Sequence, residues 1–366
     1  MSGAVPPPSR APAPEPAPTR PRVWITGAGG FIGAGLVDRL LADAAGASPA
    51  QPAPALTLID RHIAPARLAA WRQQAPDLQV CLGDFAHPAL LARARQAPPH
   101  TLFHLASLPG GEAERRYTLG YQVNLAATLA LAQAVADAPQ DGAPPVLVFA
   151  SSIAVLGDLG PMDGRVDEDA RPCPQMSYGA HKWMAEIGLA DLARRGRVDV
   201  RSLRLPGVVA RPPVAGGHGS AFMSQVFHAR RAGQTFHSPV GPQATGWWMS
   251  LDTVVDNLCR AAAWSPAQAA QAPGRVWQLP VLRATVAEVL AALDQALAVR
   301  RLAAAPHPDP GDARPSACWQ PDARLEALFG RMPNLCAPRA EVAGLRADAD
   351  LAHLVATVLA RLDAAA

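Results

Sequence analysis

The chain has 366 residues, of which 49% are hydrophobic, 17% charged and 5% aromatic, so it can bury a sizeable core. Its 33 basic and 30 acidic residues leave a net charge of +3, and no basic block points to nucleic acid or an anionic membrane as a partner. No stretch approaches the roughly 18 consecutive apolar residues that a membrane-spanning helix requires. One large domain or two unequal domains are therefore expected.

The five cysteines lie far apart and form no CxxC pair, which argues against a disulfide framework and favours a reducing compartment such as the cytoplasm. The ten histidines lack the spacing of metal ligands, so no metal site is expected. Residues 1–21 are rich in proline and alanine, and this composition predicts a disordered tail rather than a targeting segment.

From Arg22 onward, segments typical of strands alternate with segments typical of helices. The predicted strands are 22–26, 56–60, 78–84, 100–106, 146–152 and 198–206. Helices are expected at 118–137, at 177–195 and from 285 onward, and loops at 43–55, 207–219 and 233–248. The alternation predicts an α/β fold with a doubly wound parallel sheet over 22–206. A smaller substrate-binding part, partly interleaved with the sheet domain, is expected over 207–366.

The first motif is TGAGGFIG at 26–33, directly after the first predicted strand. Gly27, Gly30 and Gly33 would let the backbone approach a pyrophosphate, and the following helix would point its N-terminus at that group. Phe31 and Ile32, within the motif, are also expected to contact the cofactor. An ordinary tight turn is the alternative, which the position between strand and helix disfavours. The motif predicts a Rossmann-type dinucleotide-binding domain.

Two strand-end aspartates are candidates for the adenosine half of such a cofactor. Asp60 closes the second predicted strand, where a carboxylate can bind the ribose hydroxyls and repel a 2′-phosphate. This favours NAD over NADP, although the neighbouring Arg61 could instead accept the phosphate. Asp84 closes the third predicted strand, where it could reach the adenine edge or simply be solvated.

A further motif is Tyr178, which is followed four residues later by Lys182. The chain has three tyrosines, and Lys182 is its one lysine among 33 basic residues, so an arginine evidently does not serve at this position. On a helix, positions i and i+4 share one face and bring the phenol and the ammonium together. The ordinary tyrosine pKa is about 10, and a neighbouring ammonium and an oxidised nicotinamide would both lower it. The pair predicts a tyrosine that acts as a base.

A serine pair closes the predicted strand at 146–152. A hydroxyl at the carboxyl end of a parallel strand lies where open sheets bind their ligands. We expect Ser152 to bind the reacting oxygen beside Tyr178, and Ser151 to face the other way. A turn or helix cap is the alternative role for Ser152.

These elements follow one another in the order found in extended short-chain dehydrogenase/reductases, which the chain resembles from about residue 22 to 300. The resemblance implies that Tyr178 is the general base and that Lys182 binds the nicotinamide ribose and lowers the tyrosine pKa. It further implies that Ser152 orients the substrate and that Asn124 holds a water near Lys182. The cofactor positions that it adds are Leu105, Ala106, Ser107, Pro206 and Val208.

Within this family, several stretches are more similar to dehydrogenases of small sugar acids than to epimerases of nucleotide-linked sugars. They are 110–124, 151–157, 177–182, 193–212 and 220–226. The similarity implies NAD-dependent oxidation of the C2 hydroxyl of an acid such as D-erythronate. Three departures fall in the expected substrate pocket: Gly110 replaces a serine, the segment after Arg211-Pro212 differs, and Ser250-Leu251-Asp252 replaces Ser-Pro-Arg. Arg211 is the candidate to bind the carboxylate in place of the missing arginine.

Two alternatives to a dehydrogenase stay open. An epimerase or dehydratase would need a second pocket for a nucleotide diphosphate, for which no convincing basic set is evident. A non-catalytic nucleotide sensor would have no reason to keep Ser152, Tyr178 and Lys182 together. The expected partner is a small sugar acid, and fold analogy suggests a homodimer formed through helices 118–137 and 177–195.

Overall fold

Fourteen strands are present in the computed structural model, which describes residues 20–46, 52–139, 142–161, 163–213, 219–304 and 316–364. They are β1 (Arg22–Thr26), β2 (Ala55–Asp60), β3 (Gln79–Leu82), β4 (Thr101–His104), β5 (Val146–Ser152), β6 (Arg165–Asp167), β7 (Asp199–Leu205), β8 (Gly207–Val209), β9 (Phe236–Ser238), β10 (Thr245–Ser250), β11 (Val276–Gln278), β12 (Leu282–Thr285), β13 (Ala317–Trp319) and β14 (Asn334–Cys336). The predicted tail over 1–21 lies outside the described residues except for Arg20 and Pro21.

The helices alternate with these strands through the first half of the chain. They are α1 (Phe31–Ala44), α2 (Pro65–Gln74), α3 (Pro88–Gln96), α4 (Gly110–Arg115), α5 (Tyr117–Tyr121), α6 (Thr128–Ala136), α7 (Ser177–Arg194), α8 (Phe222–Arg231), α9 (Leu251–Ala263), α10 (Pro266–Ala269), α11 (Val286–Ala304), α12 (Ala323–Phe329), α13 (Pro338–Val342) and α14 (Leu351–Ala364). The helix expected over 118–137 is α5 and α6, joined by a π-helical segment at Gln122–Ala127. Among the described helices, none is long and apolar enough to cross a membrane.

The central sheet has seven parallel strands in the order β11-β7-β5-β4-β1-β2-β3. Apolar side chains of β1, β2 and β5 pack against α1 and α9 on one face, and a second core on the other face contains α3, α6 and α7. Parallel strands covered on both faces in this way read as near-continuous apolar runs, which is why the sequence located them. The predicted α/β fold with a doubly wound, Rossmann-type sheet is confirmed.

The strand order reverses at β1, because β4 lies on one side of it and β2 on the other. At such a point the connections leave to opposite faces and open a crevice at the carboxyl ends of the strands. The residues that follow β1 and β4 therefore face a common crevice.

The predicted loops at 207–219 and 233–248 are wrong in part. Strands β8, β10 and β12 form a second sheet, and β9 pairs with β13. All six residues of β10 are buried, but its apolar run is only Trp247 to Met249, which is too short to identify a buried strand. β11 lies after residue 206 but joins the central sheet. β14 also lies after residue 206, and it pairs with β6, which precedes that residue. Segments on the two sides of residue 206 are therefore interleaved in these sheets.

Candidate active site

The glycine loop between β1 and α1 is too tight for side chains. Gly27 has a φ of +72°, and a Cβ there would lie 2.7 Å from the amide nitrogen of Ala106. A Cβ at Gly33 would lie 2.0 Å from the carbonyl oxygen of Gly27. Gly30 precedes α1 as its N-cap. The loop thus exposes backbone next to a helix N-terminus at the reversal point of the sheet, which suits the pyrophosphate of NAD.

Gly29 is a loop residue whose importance the sequence reasoning missed. Its amide nitrogen donates to Oδ2 of Asp60 over 2.9 Å, and a Cβ there would lie 2.2 Å from the carbonyl oxygen of His62. Oδ1 of Asp60 accepts from the amide nitrogen of His62 at 3.2 Å. The Asp60 carboxylate is therefore joined to the glycine loop, and its binding of the ribose stays a prediction. The signal in the sequence was that Gly29 is the first of two adjacent glycines.

Asp84 is exposed, and its Oδ1 accepts from the amide nitrogen of Ala86 at 2.8 Å. This bond closes a turn after β3, and contact with adenine stays a prediction. The other predicted cofactor residues follow strands that end at the crevice: Leu105, Ala106 and Ser107 follow β4, and Pro206 and Val208 follow β7. Phe31 and Ile32 begin α1.

Lys182 is buried on α7, one turn after Tyr178. Its Nζ donates to the carbonyl oxygen of Ala150 over 2.8 Å and lies 5.7 Å from the centroid of the Tyr178 ring. Burial lowers the pKa of Lys182 to about 7, although the charge of Glu186 opposes that shift. The expected placement of the phenol and the amine on one helical face is what the structure shows.

Burial and polar neighbours act in opposite directions on the Tyr178 hydroxyl, and burial has the larger effect on its pKa. Burial raises the pKa of Tyr178, while hydrogen bonding with Ser107 and Ser152 and the charge of Arg211 lower it. Oγ of Ser152 also accepts from the amide nitrogen of Ala154 at 3.1 Å, so the cap that we considered as an alternative is present together with the contact to tyrosine. Two hydroxyls and one guanidinium therefore surround the candidate base.

Asn124 lies fully buried in the π-helical segment. Its Oδ1 accepts from the amide nitrogen of Leu108 at 2.7 Å, and its Nδ2 donates to the Leu108 carbonyl oxygen over 3.1 Å. Asn124 thereby fixes the segment that follows β4 and carries Ser107. Its predicted role of holding a water near Lys182 stays a prediction.

A buried ionic network behind Lys182 was missed by the sequence reasoning. Glu186 accepts two hydrogen bonds from Arg204, at 3.0 and 2.8 Å, and one from Oγ of Ser151 at 2.5 Å. Ser151 thus points away from Ser152, as expected. Glu186 lies four residues after Lys182, a spacing that could have revealed it. Its contacts with β5 and β7 could not have been read from spacing.

A cavity of about 530 Å³ opens beside Tyr178. Ser107, Ser152, Pro206, Val208 and Arg211 line it together with the tyrosine. Nη2 of Arg211 donates to Oγ of Ser220 over 3.1 Å, and burial lowers the arginine pKa, although Tyr178 opposes that shift. The cavity therefore brings a cation and the candidate base together.

The departures at Gly110 and Asp252 differ in position, and most of the differing segment after Arg211-Pro212 lies outside the described residues. Gly110 lines the cavity, where a Cβ would lie 3.7 Å from Cβ of Tyr178. Asp252 instead pairs with Arg361 of α14 and is not among the described residues of the cavity wall. The family arginine that Asp252 replaces thus has no counterpart in the described cavity wall at that position, and Arg211 reaches the cavity from another segment.

Residues 23–245 match the NAD dependent epimerase/dehydratase family. The chain belongs to this family. The match confirms the predicted family resemblance and NAD as the cofactor, and the glycine loop has the close backbone packing that the cofactor requires.

The proteins to which this chain is similar include both dehydrogenases and epimerases. A D-erythronate dehydrogenase from Cupriavidus necator is 33% identical over 334 residues, 91% of this chain and 96% of that protein. A D-erythronate dehydrogenase from Haemophilus influenzae is 31% identical over 198 residues, 53% of this chain and 59% of that protein. The structure of a nucleoside-diphosphate-sugar epimerase from Agrobacterium tumefaciens has 28% identity and a TM-score of 0.76, with 94% and 96% of the two chains covered. The family match and the two D-erythronate dehydrogenases together support an NAD-dependent dehydrogenase.

Proposed function

We propose that this protein oxidises the C2 hydroxyl of a small sugar acid, such as D-erythronate, to the 2-keto acid, with Tyr178 as general base. The observation that carries the proposal is the meeting of Ser152, Tyr178 and Arg211 in one cavity, with Lys182 behind the tyrosine. The two relatives that bear the name D-erythronate dehydrogenase support an acid of this kind as substrate.

In this proposal the chain supplies the proton transfer and the orientation of the substrate. Ser152 binds the C2 oxygen, and Oη of Tyr178 takes the hydroxyl proton. The Lys182 ammonium lowers the free energy of the phenolate that must form first. When bound, NAD supplies the acceptor for the C2 hydride. Gly27, Gly30 and Gly33 would hold its pyrophosphate.

Arg211 is proposed to bind the substrate carboxylate. A carboxylate in a closed cavity requires a cationic partner, because an unpaired buried charge is costly. The guanidinium is buried next to Tyr178, and its one described side-chain partner, Ser220, is a neutral hydroxyl. Its charge therefore stays available for an acid that reaches Tyr178.

Replacing the base tests the proposal. Wild-type protein should reduce NAD in the presence of D-erythronate, with one NADH formed for each keto acid. Tyr178→Phe should lose about 10²- to 10⁴-fold in kcat, as expected for removal of a general base. Tyr121→Phe is the matched control, because that tyrosine lies on α5 outside the described cavity lining and the change keeps its ring, and its rate should stay at the wild-type value.

The second candidate function is epimerisation or dehydration of a nucleotide-linked sugar, which the similarity to the Agrobacterium tumefaciens epimerase favours. Turnover of a nucleotide-linked sugar, without NADH formation from any free acid, would contradict the dehydrogenase. Full activity of Tyr178→Phe on D-erythronate would contradict the assignment of the base alone.

We also propose that the protein is a homodimer formed through the α5–α7 face, which we define by Tyr117, Tyr121, Met184 and Ile187. These four side chains are exposed by 57%, 39%, 37% and 58%. Clustered exposed apolar side chains are typical of an interaction surface.

The five cysteines are unpaired, and the cytoplasm stays the predicted location.

A further inference from the structure

The cavity wall opposite the glycine loop is apolar. It consists of Leu325, Leu328, Phe329 and Met332, which are half-buried, together with the buried Met223 and Trp247. The wall is firmly packed, since a Cβ at Gly219 would lie 2.3 Å from the Phe329 ring and 3.3 Å from a methyl of Leu325. The Phe329 ring therefore lies against bare backbone and is held in place.

The buried polar group of this wall is already bonded, because Nε1 of Trp247 donates to the carbonyl oxygen of Pro333 over 2.8 Å. Oδ1 of Asp322 caps α12 and accepts from the amide nitrogens of Arg324 and Leu325, both at 2.9 Å. Asp322 and Arg324 also belong to the cavity lining, but both residues are exposed. Within the described part of the wall, the buried and half-buried side chains therefore offer no free polar group to a bound hydroxyl.

On the facing wall, the charged side chains are also engaged. The Glu114 carboxylate accepts from the amide nitrogen of Ser177 at 2.8 Å, and Arg115 pairs with Glu112 at 2.7 Å. Gln175 is exposed. Apart from the bonded Trp247 indole, the polar side chains of the described cavity lining that are not exposed thus gather around Tyr178 and Arg211.

We propose that the apolar wall receives the part of the substrate remote from the carboxylate, so that the substrate class extends to 2-hydroxy acids with an apolar alkyl or aryl tail. The proposal rests on the proposed function, because the carboxylate contact and the reacting C2 are unchanged. The acid loses its C2 hydrogen as hydride to NAD and its hydroxyl proton to Tyr178. The products are a 2-oxo acid, NADH and one proton released to solvent.

Burial against the apolar wall favours the binding of an apolar tail and opposes the binding of a tail that carries hydroxyls. Each methylene removed from water favours binding by about fourfold. A hydroxyl buried without a hydrogen-bond partner opposes binding. The sugar-acid tail carries hydroxyls that this wall does not bind, so acids with apolar tails should have the higher kcat/KM.

Steady-state kinetics with NAD tests the proposal on D-erythronate, 2-hydroxybutanoate, 2-hydroxyhexanoate and 3-phenyllactate, each chiral acid as separate enantiomers. We expect kcat/KM to rise by about fourfold per methylene along the alkyl series and to exceed that of D-erythronate by about tenfold for one enantiomer of 3-phenyllactate. Phe329→Ala should lower kcat/KM for 3-phenyllactate about tenfold and leave D-erythronate within about twofold. Val342→Ala is the control, because Val342 is an apolar residue of α13 exposed by 85%.

Phe329 also packs against the core of the C-terminal half, so the melting temperature of each variant is measured, and Met332→Ala provides a second change in the wall. The inference would be overturned if kcat/KM did not rise along the alkyl series, if D-erythronate had the highest kcat/KM, and if Phe329→Ala and Met332→Ala left these values unchanged. The proposed function would still stand. If no acid yields NADH, the proposed function fails, and calorimetric titration of 3-phenyllactate into the protein with NADH decides the inference. Binding that weakens in Phe329→Ala would support the apolar site, and no binding would overturn it.

Discussion

At Lys182, burial and charge act in opposite directions on one amine. Burial lowers its pKa to about 7, while the Glu186 carboxylate raises it. Nearby, burial raises the pKa of Tyr178. In the proposed reaction the tyrosine must lose its proton while the lysine keeps its own. These shifts alone give the opposite order of ionisation, so the positive charge of bound, oxidised NAD must lower the Tyr178 pKa to open a working pH range.

Glu186 should control the alkaline end of that range. In Glu186→Gln, the carboxylate that raises the Lys182 pKa is gone, and the buried Arg204 is left unpaired nearby, so the Lys182 pKa falls further. The ammonium is lost as pH rises through its pKa, so the alkaline decline of kcat should begin at a lower pH than in wild type. The measurement is a pH profile of kcat, with Glu186→Asp expected to restore part of the range.

Breaking a buried ion pair costs about 3–5 kcal/mol of stability by itself, so the pH profile needs a matched control. Asp199→Asn serves, because Asp199 forms an equally buried pair with Arg201 at 2.8 Å, on β7 and away from the cavity lining. It should lower the melting temperature without moving the alkaline decline. An unchanged profile in Glu186→Gln would show that Glu186 is structural alone.

The sequence located Tyr178 and Lys182 because one rare residue type stood at helical spacing from another. The same spacing contains Glu186, which was overlooked. Its partners Ser151 and Arg204 could not be found in this way, since they reach Glu186 through the adjacency of β5 and β7. Contacts within one helix follow from the sequence, whereas contacts between strands depend on their order in the sheet.

At the scale of elements, the end of β2 is tied to the loop that precedes α1. Asp60 accepts the Gly29 amide, so its carboxylate position and the glycine loop are set together. A carboxylate here favours NAD because it would repel a 2′-phosphate. Gly29 and Asp60 form one contact that the two motifs, taken separately, did not indicate.

Asp60→Ala should weaken NAD binding and shift the ratio of kcat/KM for NAD over NADP toward NADP by about tenfold, the effect of one lost hydrogen bond to a charged group. Asp84→Ala is the matched control, since Asp84 also follows a strand but closes its own turn in solvent. Its ratio should stay near that of wild type. A wild-type preference for NADP would show that Arg61, rather than Asp60, determines the choice of cofactor.

The strands that the sequence predicted differ physically from those that it did not. The six central strands that were predicted are apolar runs bounded by turns, and all six are present. β8, β9 and β10 were assigned to loops, since β8 and β9 have three residues each and β10 is buried on both faces. Without periodicity or length, a strand has no local signal.

At the scale of the whole molecule, the α5–α7 face exposes apolar side chains around a buried histidine. His181 is fully buried between Tyr117 and Tyr121, with ring centroids at 5.4 and 5.9 Å. Neither ring nitrogen has a hydrogen-bond partner in the described part of the chain, although buried polar groups normally have partners. Because His181 is enclosed within its own chain, the proposed second copy is supported by the exposed apolar side chains alone.

A charge placed in the α5–α7 face should therefore separate the two copies. Wild-type protein should elute with twice the mass of the chain in size-exclusion chromatography with light scattering, and Ile187→Glu should elute as a monomer, because a buried unpaired charge is costly. Val342→Glu places the same charge on a more exposed apolar residue outside the face and should remain a dimer. A monomeric wild type at micromolar concentration would contradict the dimer. A dimer that survives Ile187→Glu would place the interface elsewhere on the molecule.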